Sequence, residues 1–281
     1  MTGAGSGSGA GRTRLPRRIV AATYNIHRCI GADGRYSPSR IALVLEEIDA
    51  DLIGLQEVDS RLAAAGARDQ LGYLAHRLGF NVAAGLNIVC DRGHYGNALL
   101  SRWPILESRL IDLSAAGREP RGGIDADVAC PGAANGEAVR VIVTHFGLRG
   151  WERRRQMASL LRHIGDGDGD GDDRGRRPLL LMGDFNEWVR FGPVSRSLGG
   201  ALRCDRQGAS FPARWPLLPL DRICARSLTL AQAPAPHVSE TARVASDHLP
   251  VKAVFMLPAQ ASSSTSVVGT PRTPNIDHNL I

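Results

Sequence analysis

The chain has 281 residues, 43% of them hydrophobic and 22% charged, which fits a globular protein of one large domain or two small ones. No apolar run approaches the ~20 residues of a membrane-spanning helix. After Met1, residues 2 to 11 are Gly, Ser, Ala and Thr with no apolar core of the signal-peptide kind, so a cytoplasmic location is expected. The formal charge of +6 argues only weakly for nucleic acid, because Arg12, Arg14, Arg17 and Arg18 carry four of those charges beside the N-terminal tail.

Five cysteines (Cys29, Cys90, Cys130, Cys204 and Cys224) form no C-x-x-C pair and are odd in number. They read as small core residues in a reducing compartment, with neither a disulfide framework nor a zinc site. Residues 1–17, rich in Gly, Ser and Arg, and 258–281, rich in Ser, Thr and Pro, read as disordered tails.

In chain order, Arg18 to Ile26 reads as a strand. A helix follows, capped by Ser37 with Pro38 at its first position and Ile41, Val44, Leu45 and Ile48 on one face. Leu52 to Leu55 is a second strand, ending at Gln56-Glu57. Asp69 to Leu78 is a helix stopped by Gly79. Short strands are predicted over 81–84, 97–101, 105–110, 124–129 and 138–144, the last with Val139, Val141 and Val143 on one face. Trp151 to Ile164 is a helix with Met157, Leu160, Leu161 and Ile164 buried. Leu179 to Met182, an unbroken apolar run between Pro178 and Gly183, suits a strand covered on both faces. Residues 222–225 and 251–256 are the last strands. The run from Asp166 to Asp173 begins like a calcium loop but has Arg177 where a bidentate Glu is needed, and reads as a solvated surface loop.

Polar residues gather where these strands stop: Asn25, Glu57, His145, Asp184 with Asn186, Asp221, and Asp247-His248. Each alone reads as turn or cap chemistry. Together they suit hydrolysis of phosphate esters. A hard cation such as Mg²⁺ takes carboxylate and amide oxygens, which Glu57, Asp247 and Asn25 supply. Asp184 suits holding the attacking water, and His145, His248, Asn25 and Asn186 suit donation to the phosphoryl oxygens. Asp221 suits fixing the tautomer of His248 and favouring its charged form.

The series Tyr24-Asn25-Ile26, Leu55-Gln56-Glu57, Thr144-His145-Phe146, Gly183-Asp184-Phe185-Asn186, Leu220-Asp221-Arg222-Ile223 and Ser246-Asp247-His248-Leu249-Pro250 resembles the endonuclease/exonuclease/phosphatase superfamily of DNase I-like nucleases, apurinic endonucleases, sphingomyelinases and inositol polyphosphate phosphatases. The resemblance spans roughly residues 18–257, taken as one catalytic domain. It implies an α/β four-layer sandwich, two mixed β-sheets face to face with helices outside, and Mg²⁺ or Mn²⁺ as cofactor. It implies Asn25, Glu57 and Asp247 on the metal side, Asp184 positioning water, Asn186 and His145 at the phosphate, and an Asp221–His248 pair. Where apurinic endonucleases carry an Asp two residues after the first Asn, this chain has His27, which counts against abasic-site repair.

Arg121 and Asn97, in loops between the motifs, are candidates for gripping phosphate, with turn chemistry and a surface charge as the alternatives. Glu152-Arg153-Arg154-Arg155 reads as a basic rim or a solvated helix face. Trp188 and Trp215 either flank the site or pack in the core. The expected substrate is a phosphate ester, nucleic acid first and a lipid or sugar phosphate second, acted on by a monomer. A silent phosphate-binding module is the alternative from another class.

Overall fold

The computed structural model describes residues 18–257 apart from 62–68, 92, 132–137, 166–174, 176 and 190–191. Both expected tails and the Asp–Gly run lie outside the described residues. Eleven strands form among the described residues: β1 (Arg18–Asn25), β2 (Leu52–Asp59), β3 (Asn81–Cys90), β4 (Gly93–Ser101), β5 (Ile105–Asp112), β6 (Gly122–Val128), β7 (Val139–His145), β8 (Leu179–Asp184), β9 (Asp221–Arg226), β10 (Thr229–Pro236) and β11 (Val251–Met256). The helices are α1 (Pro38–Ile48), α2 (Gln70–Leu78), α3 (Gly150–Gly165), α4 (Pro193–Ala201) and the single turn α5 (Ala242–Ala245). One sheet runs β10-β11-β1-β2-β4-β3 and the other β5-β6-β7-β8-β9. Both are mixed, and each carries one parallel pair near its centre, β1–β2 and β7–β8. The four-layer α/β sandwich expected from the sequence is what forms.

Three apolar layers hold it together. Between the sheets, Ile19, Ala21, Leu52 and Leu99 meet Val139, Val141, Val143, Leu180 and Met182. The alternate residues of the same strands face outward: Val20, Ala22 and Tyr24 pack under α1, α2 and α5, while Ile142, Leu179 and Leu181 pack under α3 and α4. Strands covered on both faces need apolar residues at every position, hence the unbroken runs. A Cβ on Gly54 would sit 2.9 Å from Met182 Cγ, so the facing sheets approach closely there.

Helix ends follow their capping residues. Ser37 accepts from the Arg40 N–H at 3.4 Å with Pro38 behind it. Asp69 accepts from the Gly72 N–H at 3.2 Å, and Gly79 closes α2 at φ 67°.

The fold departs from the sequence reading in three places. β10 carries Pro234 and Pro236, which hide a strand, but it is an edge strand with two register shifts and tolerates them. Gly199 and Gly200 weaken the helical signal of α4. Cys204 and Cys224 form a disulfide, contrary to the expectation of reduced core cysteines. The backbone pairing of Arg203 with Ala225 brings the Cα atoms of Cys204 and Cys224 to 4.4 Å. Cys29 and Cys130 are free and buried as expected, and Cys90 is free and exposed. The disulfide removes the cysteine argument for a reducing compartment. Among the described residues no helix is long and apolar enough to cross a membrane.

Arg140 is the largest fully buried side chain among the described residues. It forms a bidentate pair with Asp125 at 3.0 and 2.9 Å and donates to the carbonyls of His163 and Ile164, so a cation closes the C-terminal end of α3. His163 adds a contact of 2.7 Å to the same carboxylate. Removing one partner of such a pair strands a buried charge. Arg140→Leu is expected to destabilise the fold by roughly 3–5 kcal/mol in urea denaturation, with Arg140→Leu/Asp125→Leu less destabilised than the single variant.

Candidate active site

The sheets present the carboxyl ends of their parallel pairs at one edge, where a chain leaving the strand can aim a side chain into a cleft. β1 and β2 end at Asn25 and near Glu57; β7 and β8 end side by side at His145 and Asp184. A cleft of about 520 Å³ opens there. It is lined by Asn25, Glu57, Arg121, His145, Asp184, Asn186, Asp247 and His248 among others. Residues from six distant parts of the sequence therefore meet.

Glu57 does not sit on a regular strand. The register between β2 and β4 shifts between Leu55 and Val58, and Glu57 takes φ 59°, so a bulge turns its carboxylate toward the cleft. Asp184 and Asn186 reach the site by a related device. Asn186 lies at φ 49° and its backbone N–H donates to Asp184 Oδ1 at 2.8 Å, closing a turn across the two residues. Simple alternation along an extended strand is replaced by this turn. Gly183, at φ 156°, passes so close to the Thr144 carbonyl that a Cβ would overlap it.

Asp184 is the hub. Asn25 Nδ2 donates to Asp184 Oδ2 at 3.1 Å and to Glu57 Oε1 at 3.1 Å. Carboxylates only accept, so the amide nitrogen must face them; the amide oxygen accepts from the His27 N–H at 3.0 Å. His145 Nε2 and His248 Nε2 lie 3.5 and 3.7 Å from the same Asp184 oxygen.

The two histidines are held in opposite charge states. Burial and the adjacent Arg121 guanidinium push His145 down to about 3. Arg121 Nη1 can only donate, so Nδ1 of His145 accepts at 3.2 Å and its proton sits on Nε2, facing Asp184. Asn186 Nδ2, at 3.3 Å from that nitrogen, spends a proton on the Phe146 carbonyl at 2.9 Å. For His248, burial opposes the charge but Asp221 and Asp184 overcome it and raise the ring to about 10. Asp221 Oδ2 lies 2.8 Å from Nδ1, and the Phe211 ring covers His248 at 4.9 Å.

Asp184, Asp221 and His248 offer ligand atoms within 4.8 Å of one another, a group able to hold a metal ion. The imidazolium of His248, already bonded to Asp221, has no lone pair for one. Glu57 fits a hard cation better. Burial, then the charges of Asp247 and Asp184, push its carboxyl up, opposed by the Asn25 hydrogen bond and by His27. That surplus of negative charge on oxygen is what a divalent ion neutralises.

Of the predicted residues, Asp221 stands behind His248 and is fully buried. Asn97 is not brought to the cleft wall; it is buried and donates to the Gly122 carbonyl at 2.9 Å. Arg153, read as part of a rim or solvated face, is buried and donates to the Leu148 carbonyl at 2.7 Å. Sequence reasoning missed Arg28, Arg61, Tyr95 and Phe211 on the cleft wall. It also missed Ser246, which donates to the Asn25 carbonyl at 2.8 Å and accepts from the His248 N–H at 3.3 Å. Ser246 stands inside a quoted motif and Tyr95 two residues before Asn97; Arg28, Arg61 and Phe211 have no local signature.

The sequence profile described as "Endonuclease/Exonuclease/phosphatase family" matches residues 22–248. The uncharacterized protein YbhP of Escherichia coli (strain K12) is 32% identical over 252 residues, 84% of this chain and 95% of that protein. Among solved structures, the human nocturnin catalytic domain with bound sulfate superposes with a TM-score of 0.66 at 21% identity, over 87% of this chain and 96% of that one. The mannosyl-6-phosphatase Bt3783 of Bacteroides thetaiotaomicron gives 0.64 at 18%, over 85% and 100%. The chain belongs to the endonuclease/exonuclease/phosphatase family, whose members are generally metal-dependent phosphoesterases.

Proposed function

We propose that this protein is a divalent-metal-dependent phosphodiesterase that hydrolyses its substrate by direct attack of water. The observation that carries the reading is the surrounding of Asp184. Its carboxylate is fixed by two donors, Asn25 Nδ2 at 3.1 Å and the Asn186 N–H at 2.8 Å, between a neutral and a charged imidazole.

Asp184 holds the attacking water and takes its proton as the water oxygen bonds to phosphorus. In-line attack places the leaving oxygen on the far side of phosphorus. Groups beside Asp184 therefore face the non-bridging oxygens. His248 gives a charged hydrogen bond there, with Asp221 maintaining the charge. His145 gives a neutral N–H, aimed by Arg121, and Asn186 holds the wall beside it. His145 does not serve as a proton donor in the acid-catalyst sense, because its charged form is unpopulated at neutral pH. Glu57 and Asp247 would hold Mg²⁺ or Mn²⁺, with Asn25 orienting Glu57. The bound ion would neutralise charge on the phosphate and the departing oxygen. A phosphate-binding module without turnover would not need a fixed general base between two imidazoles.

The substrate class expected from the motifs is nucleic acid, with lipid or sugar phosphates second. The near-neutral net charge of the folded part adds little support for a duplex.

Turnover of bis(para-nitrophenyl) phosphate is expected to vanish with a chelator and return with Mg²⁺ or Mn²⁺. Asp184→Asn is expected to lower kcat by about 10²–10⁴-fold with the fold intact by circular dichroism. A silent metal-restored wild type would sink the assignment. His248 binds its proton more tightly folded than unfolded. Its contribution to stability is therefore complete below about pH 6.5 and lost as pH rises through about 10. Urea denaturation across that window is expected to show a fall that His248→Gln flattens.

A further inference from the structure

We propose that the rim of the cleft docks onto an anionic phospholipid surface, so that the phosphate ester entering the site is a lipid headgroup. The inference deepens the phosphodiesterase reading and rests on it for the chemistry alone. Six of the fourteen exposed large apolar side chains among the described residues line the cleft or lie within three residues of a side chain that does. Leu148 and Trp151 follow β7 at 69% and 44% exposure, Trp188 and Val189 follow β8 at 50% and 48%, and Trp215 and Leu217 reach 77% and 76%. All three exposed tryptophans are in that set.

Their placement ties them to the site. Leu148 and Trp188 line the cleft itself. Trp215 and Leu217 tip a turn whose two legs, Phe211 and Leu218, pair with each other and line the same cleft. Backbone hydrogen bonds close the turn, the Trp215 N–H donating to the Pro212 carbonyl at 3.1 Å and the Leu217 N–H to the Phe211 carbonyl at 2.8 Å. Exposed apolar side chains thus stand beside the cleft in three separate segments of the chain. A patch of this kind around a mouth marks an interaction site rather than chance exposure.

Charge and residue type select the partner. Exposed arginines interleave with the apolar residues: Arg149 between Leu148 and Trp151, Arg214 beside Trp215, and Arg118 stacked on Trp151 at 5.8 Å. Trp and Leu projecting among Arg is the composition of an element that sits at the level of anionic headgroups. Single-stranded nucleic acid would stack on the tryptophans but has no use for Leu148, Val189 and Leu217.

Co-sedimentation of the full chain with vesicles of phosphatidylcholine, with and without phosphatidylglycerol, tests the proposal. Binding is expected only with phosphatidylglycerol present. Trp215→Ala/Leu217→Ala should weaken it by about ten-fold or more and leave turnover of soluble bis(para-nitrophenyl) phosphate unchanged. Absence of wild-type vesicle binding, binding indifferent to phosphatidylglycerol, or equal binding by the variant overturns docking. A variant that instead loses affinity for a single-stranded oligonucleotide, with no vesicle binding, assigns the rim to nucleic acid. Failure of the wild type to turn over the soluble ester strikes the phosphodiesterase reading and leaves the vesicle result standing.

Discussion

One amide group joins the halves of this site. Asn25 ends a strand of the six-stranded sheet, Glu57 bulges from its neighbour, and Asp184 ends a strand of the other sheet. The two protons on Asn25 Nδ2 go one to each carboxylate, at 3.1 Å in both cases. Its oxygen is spent on a backbone N–H, and Ser246 holds its carbonyl. Two carboxylates facing a buried cleft repel each other strongly, and a neutral double donor between them relieves that repulsion without adding charge. The sheets could pack face to face without it, since Val, Leu and Met supply the adhesion. The amide decides how their edges align.

Alignment at this edge is held against backbone preference. Glu57 and Asn186 adopt left-handed conformations, and His27, Arg28 and Cys29 do so in succession after β1. Each such non-glycine residue costs on the order of 1–2 kcal/mol. The surroundings hold that turn firmly. Gln70 Nε2 donates to the Arg28 carbonyl at 2.8 Å, the Cys29 N–H to the Ile26 carbonyl at 2.8 Å, and Cys29 itself is buried. The turn brings the His27 N–H back onto the Asn25 side chain. Strain and hydrogen bonds thus serve the same amide.

Much of this was legible in the sequence, for reasons that differ by residue. Leu179 to Met182 announced a two-faced strand because every position had to be apolar. Ser37-Pro38 and Asp69 marked helix starts because capping is local chemistry. Asp184, His145 and His248 stood out as candidates because chemistry collects where strands stop, and they do line one cleft. What stayed hidden depends on partners far along the chain. The Glu57 bulge is defined only by its pairing with β4. The tautomer of His145 is set by Arg121, 24 residues away in sequence. Cys204 meets Cys224 through a strand bridge that spacing does not advertise, and β10 is a strand only because β11 lies beside it. The burial of Arg153 went against its composition, because carbonyls after β7 needed a donor.

The parallel pair near the centre of each sheet has a further meaning. One pair carries Asn25 and Glu57, the other His145 and Asp184; on the function proposed above the first set holds a cation and the second handles a proton. On that reading each half could change in its own role, one toward a different ion and the other toward a different leaving group, about the amide that both share. A scaffold divided in this way is well suited to inheriting new substrates while keeping a single way of breaking a bond.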